Sequence, residues 1–127
     1  MLFFRYNKSE RPPAPYIVLE IAPAGRRRKP TRRRAKLDSG ASLTVIPETL
    51  RKRWNIPPFR GVTVRAYNGQ RIVRPIYLAD IIIGSRQFQN IEVTIAPRRN
   101  ILLGRNVMNK LRITLDGTQE VVEIQNV

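Results

Sequence analysis

The feature that most constrains this chain is how regularly its apolar runs are cut short. Residues 16–21 (Tyr-Ile-Val-Leu-Glu-Ile), 43–46, 62–66, 71–73, 76–83, 88–95, 101–103, 111–115 and 121–124 are rich in Ile, Val, Leu, Thr and Tyr. Between them stand turn formers such as Pro23-Ala24-Gly25, Asp38-Ser39-Gly40, Asn68-Gly69, Gly84-Ser85 and Asp116-Gly117. β-Branched and aromatic side chains fit a pleated, half-buried surface, while Gly, Asn and Asp supply the backbone angles of tight turns. Short strands at this spacing predict a small barrel or sandwich. Hairpins are expected over 62–73, where Asn68-Gly69 supplies the positive φ angles of a tight turn, and over 76–95. One helix is expected to start with Pro47 at its first position and to end near Trp54, and a second to run from Arg105 to about Lys110. The expected fold class is all-β with one or two short helices.

At 127 residues the chain is one domain by size. Residues 1–15 read as an N-terminal leader or arm, held extended by Pro12, Pro13 and Pro15, and residues 16–127 as the folded domain. The opening Met1-Leu2-Phe3-Phe4 turns polar at Arg5, too soon for a signal segment, and no apolar stretch is long enough to span a bilayer. A cytoplasmic protein with no membrane partner is expected.

Composition then removes most catalytic chemistries. The chain has no His and no Cys, which excludes Ser-His-Asp and Cys-His triads, imidazole metal sites, zinc knuckles and disulfides. Carboxylates, hydroxyls and lysines remain, and the only aspartates are Asp38, Asp80 and Asp116. Asp80 lies in mid-strand without a Gly turn, and Asp116-Gly117 follows a Leu-containing strand. Asp38 alone sits on a Ser-Gly turn between two strand-like runs.

Taken in order, Leu37-Asp38-Ser39-Gly40-Ala41, the strand at 43–46, the hairpin around Tyr67-Asn68-Gly69, and Ile101-Leu102-Leu103-Gly104-Arg105-Asn106 resemble the retropepsin-like (retroviral-type) aspartic proteases. The likeness runs from about Tyr16 to Val127. It looks closest to stand-alone prokaryotic members, which share Pro12-Pro13-Ala14-Pro15, Leu102-Leu103-Gly104-Arg105 and Leu115-Asp116-Gly117. The resemblance implies one barrel lobe per chain and an aspartic endopeptidase that needs no metal and no organic cofactor. Such hydrolysis uses two carboxylates that share one proton around a water, as aspartic protease dyads do. With one suitable aspartate per chain, the fold implies a homodimer in which two Asp38 carboxylates meet on the two-fold axis. It further implies that Ser39 hydrogen-bonds across the dimer, that Gly40 lets the two loops approach, and that Ala41 contacts the backbone of a peptide or protein substrate. Tyr67, Asn68 and Gly69 would form the tip of a flap over that substrate, and Leu103, Gly104 and Arg105 the structural second motif. The last strand, 121–127, would pair with its copy in the other subunit.

The departures from the family pattern carry expectations of their own. Lys36 stands where relatives have an apolar residue facing a substrate pocket, and the loop containing Arg98 and Arg99 would line the same region. These cations are expected to favour acidic or polar substrate side chains. Ser42 replaces the Asp that pairs with the motif Arg in retroviral members, so Arg105 must bond elsewhere. Asn106 replaces an Asp of many relatives, and the flap tip is poorer in Gly.

One further feature has no place in that pattern. Residues 26–34 hold seven cations, Arg26, Arg27, Arg28, Lys29, Arg32, Arg33 and Arg34, in a chain whose 24 basic and 9 acidic residues give a net charge of +15. Such density suits nucleic acid or an acidic surface, although no aromatic residue lies between Tyr16 and Trp54 to stack on bases. The same run also reads as a solvated hairpin that keeps a cationic protein soluble. Two alternatives to a general protease follow: a catalytically silent protease-like β-module that binds nucleic acid through the Arg-rich hairpin, and a protease limited to self-processing of the leader before Tyr16.

Overall fold

The computed structural model describes residues 1–25 and 28–127; Arg26 and Arg27 of the basic run lie outside them. The chain forms β1 (Leu2–Arg5), β2 (Tyr16–Pro23), β3 (Thr31–Leu37), β4 (Thr44–Pro47), α1 (Glu48–Trp54), β5 (Arg60–Arg65), β6 (Arg71–Ile83), β7 (Arg86–Ala96), β8 (Ile101–Leu103), α2 (Arg105–Met108), β9 (Arg112–Asp116) and β10 (Val121–Gln125). Strand content is 54% and helix 9%, so the all-β expectation holds. The main sheet has the order β2-β3-β8-β4-β7-β6-β5, and β2 also pairs with β6, which closes the first six strands into a barrel and leaves β5 outside it. A second sheet, β1-β10-β9, lies beside it.

Strand alternation builds the core. Tyr77, Ala79, Ile81 and Ile83 of β6 point inward, as do Ile17, Leu19 and Ile21 of β2, Ala35 and Leu37 of β3, and Ile101 and Leu103 of β8. Leu50 and Trp54, four residues apart on α1, cover one end of this core, and Asn55 in the left-handed region stops the helix.

The topology around β8 positions the site. β3 and β4 are consecutive, yet β8 lies between them, parallel to β3 and antiparallel to β4. The segment 38–43 that joins β3 to β4 therefore crosses the end of β8.

Four details differ from the sequence reading. Pro47 is not the first helical residue; it ends β4 and caps α1 with extended angles, φ −60° and ψ 138°. The two expected hairpins share one long strand, because β6 runs unbroken through Pro75, which faces Gly61. Pro75 is tolerated since β6 is there paired only with β5, and its missing N–H breaks no central ladder. In the 66–70 turn only Gly69 has a positive φ, +81°, and Asn68 instead accepts the Gln70 N–H through its side chain. Finally, the first fifteen residues lie against the rest of the chain. β1 pairs with β10 over Leu2–Arg5, and an Asn7–Ala14 bridge closes the loop that follows. β10 thereby has a strand of its own chain on both sides, so pairing of β10 with a copy requires β1 or β9 to leave it.

Candidate active site

The three aspartates separate by what holds their carboxylates. Asp80 accepts the Gly25 and Asn90 N–H groups at 3.2 and 3.0 Å and so ties the turn after β2 and the middle of β7 to β6. Asp116 accepts the Gln119 N–H at 3.0 Å and the Thr118 hydroxyl at 2.8 Å, bonds that hold its carboxyl below the usual carboxylate range. Both serve turns.

Asp38 emerges from the end of β3. Its N–H donates to the Leu103 carbonyl at 3.0 Å, its carbonyl accepts the Ala41 N–H at 3.2 Å, and its Oδ1 accepts the Gly40 N–H at 2.8 Å. A Cβ on Gly40 would stand 3.1 Å from that same Oδ1, so glycine leaves the carboxylate room to turn. Ser39 and Gly40 are exposed, while Asp38 and Ala41 are half-buried.

The second motif holds this loop from beneath. Gly104 follows β8 and passes so close to the Leu43–Thr44 peptide that a Cβ would lie 2.5 Å from the Leu43 carbonyl carbon and oxygen. Its N–H donates to Thr44 Oγ1 at 3.1 Å, and the Thr44 hydroxyl donates in turn to Asn106 Oδ1 at 3.0 Å. Asn106 also accepts the Thr44 N–H at 3.1 Å and donates to the Glu92 carbonyl at 2.9 Å. Arg105 answers the question left by Ser42: its guanidinium donates to the Ser39 carbonyl at 2.7 Å, and its N–H to the Ala41 carbonyl at 2.8 Å. Leu103 is fully buried.

Thr44 is a positioning residue that the sequence did not single out, and Asn106, noted there only as a departure from the family pattern, is its partner. Thr44 is one of two buried polar residues among those described, but in Leu43-Thr44-Val45-Ile46 it reads as an ordinary strand former. A buried hydroxyl that both donates and accepts signals a satisfied internal network, and no local pattern announces it.

The hairpin of β5 and β6 faces this loop across a groove of about 390 Å³. Gly40, Ala41 and Ser42 form one wall; Val62, Val64 and Arg74 of the hairpin form the other, over Val45 and Ile76. The hairpin tip is held by its own bonds, Ala66 N–H to Gln70 carbonyl at 2.8 Å and Gly69 N–H to Ala66 carbonyl at 3.0 Å, and Tyr67 is fully exposed there.

The cations near the site are not equivalent. Lys36 and Asp38 leave the same face of the strand, opposite the buried Ala35 and Leu37. Lys36 Nζ, however, lies 2.6 Å from Glu10 Oε1, and the Tyr16 hydroxyl donates to the other oxygen of that carboxylate. The hydrogen bond from Lys36, reinforced by Tyr16, holds Glu10 below the usual carboxylate range, and Glu10 raises Lys36. Arg98 turns back to donate to the Asn100 carbonyl at 2.7 Å, whereas Arg99 is exposed. Glu10 and Arg74 carried no sequence signal, since one lies in the arm and the other in a strand.

A closed barrel with an Asp-Ser-Gly loop crossing a Gly-Arg helix start defines the retropepsin-like aspartic protease fold. Solved structures agree. The chain superimposes on a retropepsin-like aspartic protease from Rickettsia conorii with a TM-score of 0.65 at 15% identity, covering 97% of this chain and 88% of that one. It matches EIAV protease, solved with the inhibitor HBY-793, with a TM-score of 0.57 at 17% identity over 76% of this chain and 86% of that one. For the simian foamy virus (mac) protease the TM-score is 0.54 at 25% identity, over 70% and 88%. No curated protein matches the sequence. Residues 29–110 match the family described as "gag-polyprotein putative aspartyl protease"; the chain belongs to that family.

Proposed function

We propose that this protein is an aspartic endopeptidase that works as a homodimer, with Asp38 from each subunit forming the catalytic pair. The observation that carries the reading is the wiring of the Asp38 loop, which is held from far along the chain by Leu103, Gly104, Arg105, Thr44 and Asn106. Two such carboxylates brought close cannot both ionise, so one proton stays on the pair. The ionised member takes a proton from the water as it attacks the scissile carbonyl, and the protonated member donates to the carbonyl oxygen. The carboxylate left ionised then takes a proton from one hydroxyl of the gem-diol as the C=O re-forms, while the protonated carboxylate gives its proton to the amine nitrogen as the C–N bond breaks, which returns the pair to one shared proton. Ser39, exposed beside Asp38, is placed in the role of bonding across the two-fold, and Ala41 in that of contacting the substrate backbone. Tyr67, Asn68 and Gly69 are assigned to a flap, because their hairpin already walls the groove on the side opposite the loop.

The groove also refines the substrate expectation. Lys36 is neutralised by Glu10 and Arg98 is engaged with its own loop, so any preference for acidic side chains rests on Arg99 and on Arg74, the cation in an otherwise largely aliphatic groove.

The test is cleavage of a denatured protein mixture between pH 3 and 8, wild type beside Asp38→Ala, with products read by mass spectrometry and the mass of the assembly in solution by sedimentation. Peptides that appear only with wild type are the expected result, with a carboxylate enriched at one position and lost in Arg74→Gln. If both proteins leave the mixture intact while a dimer is present, the peptidase reading fails. Loss of the first residues from wild type alone would restrict the activity to self-processing.

A further inference from the structure

The basic run, which the active site does not use, becomes a surface in three dimensions. Arg32 and Arg34 are exposed on one face of β3, with Arg33 half-buried on the other. β2 flanks β3 along Thr31–Lys36, but β8 reaches only Ala35–Leu37, so residues 31–34 have an edge without a strand among the described residues. Arg28 extends the surface to α1 by donating to the Arg53 carbonyl at 3.0 Å. That contact gathers Arg28, Lys29 and Arg53 around a cavity of about 320 Å³ floored by Ile21, Leu50 and Trp54.

The charge on this surface is uncompensated. Among the described residues, no carboxylate lies within 4 Å of a charged nitrogen of Arg28, Lys29, Arg32, Arg33, Arg34 or Arg53. Glu20 is the ladder partner of Arg32 and still makes no ion pair with it. Two charged residues would be enough to keep an open strand edge from pairing with another chain; a run that also recruits the end of a helix exceeds that need. Like charges at such density favour a partner that carries closely spaced negative charge and releases its own counterions on binding.

We propose that this face, made by the residues leading into β3, the first half of β3 and the last turn of α1, binds nucleic acid through its phosphates. Base sequence is not read. Tyr16, Trp54 and Tyr77 are buried and offer no face to a base; the exposed Phe59, beside Ala24 and Gly25, is a single ring, and stacking on it would be tolerant of sequence. Arginine dominates, and its planar fork suits phosphate oxygens better than an ammonium does. Four residues of extended chain, roughly 13 Å, separate Arg34 from Asp38. The proposal does not depend on the peptidase reading.

The experiment is a fluorescence anisotropy titration of a fluorescein-labelled 20-base-pair DNA duplex from 50 to 200 mM NaCl. Wild type and Asp38→Ala should bind alike. With about four phosphates neutralised, the affinity should fall about a hundredfold across that salt range. Arg32→Gln/Arg34→Gln should weaken binding at least tenfold at 50 mM and reduce the salt slope by about two. Lys110→Gln/Arg112→Gln, which removes the same charge outside the proposed face, should change it less than threefold; equal melting temperatures confirm that both variants are folded. The proposal is overturned by any of three results: no binding at 50 mM salt, equal losses in the two double variants, or tighter binding of a polyglutamate peptide than of the duplex, which would assign the face to an acidic protein.

Discussion

The groove is walled by the Asp38 loop on one side and by the β5–β6 hairpin on the other, and that loop and the hairpin's tip are built in opposite ways. The Asp38 loop and the start of β4 are bonded to parts of the chain sixty or more residues away, through Leu103, Arg105, Asn106 and the Gly104–Thr44 crossing. Among the described residues, the 66–70 turn makes its bonds only to itself, at the end of a hairpin whose outer strand, β5, has no second neighbour in the sheet. A reacting carboxylate gains from being held in place, because its geometry then costs nothing at the moment of reaction. A cover must open and close, and a segment with few tertiary contacts can do so at low free energy. The contrast gives each half of the groove the stability its proposed role requires.

The difference can be broken most severely at Gly104. Gly104→Ala should destabilise the protein by about 3 kcal/mol, because the new methyl meets backbone rather than a movable side chain; urea denaturation measures it. Asn106→Ala should follow at about 2 kcal/mol, since it strips partners from Thr44 and from the Glu92 carbonyl. Asn106→Asp, which keeps the acceptor for Thr44, should cost about half as much, and a reversed order would break the network argument. At the opposite loop, Gly69→Ala should cost only about 1 kcal/mol, the penalty of a positive φ with no steric contact.

A fourth prediction concerns the arm that borders the rigid loop. Glu10 has its carboxyl lowered in the folded state, so its contribution is full above the usual carboxylate range and is lost as pH falls through the lowered value. Lys36 is raised, so its share is present below the usual lysine range and is lost only as pH rises through the raised value. The melting-temperature gap between wild type and Glu10→Gln should therefore be widest between those limits and close under acid. A gap that persisted in acid would mean that Glu10 acts by packing alone. The smallest stability effect belongs to Tyr67→Ala, within about 0.5 kcal/mol because the side chain is fully exposed. If the hairpin is a flap, the same substitution should still lower kcat/KM, which sharpens the division between a structural loop and a moving one.

Periodicity and turn residues located nearly every strand from β2 onward, both helices, and the loop that bears Asp38. Those signals are local: alternation, β-branching and Gly or Asn at turns act within a few residues of themselves. β1 was read only as part of an arm, because Leu2-Phe3-Phe4-Arg5 is short and becomes a strand through its pairing with β10, over a hundred residues away. The continuity of β6 through Pro75 was hidden for a similar reason, since whether a proline breaks a strand depends on which edge of the sheet it occupies.

The site divides along the same line. Residue types alone singled out Asp38, because the absence of His and Cys and the count of three aspartates left few chemistries and few positions. The order of the two glycine motifs then pointed to a family, which the match over residues 29–110 bears out. Only the folded chain could decide that β8 enters between β3 and β4, that Arg105 serves the Ser39 carbonyl, that Thr44 and Asn106 carry the crossing, and that Glu10 silences Lys36. Each of these joins residues far apart in sequence. Such a contact forms once the core has brought both partners within hydrogen-bond reach, a condition set by the packing of the whole barrel and by no single stretch of the chain.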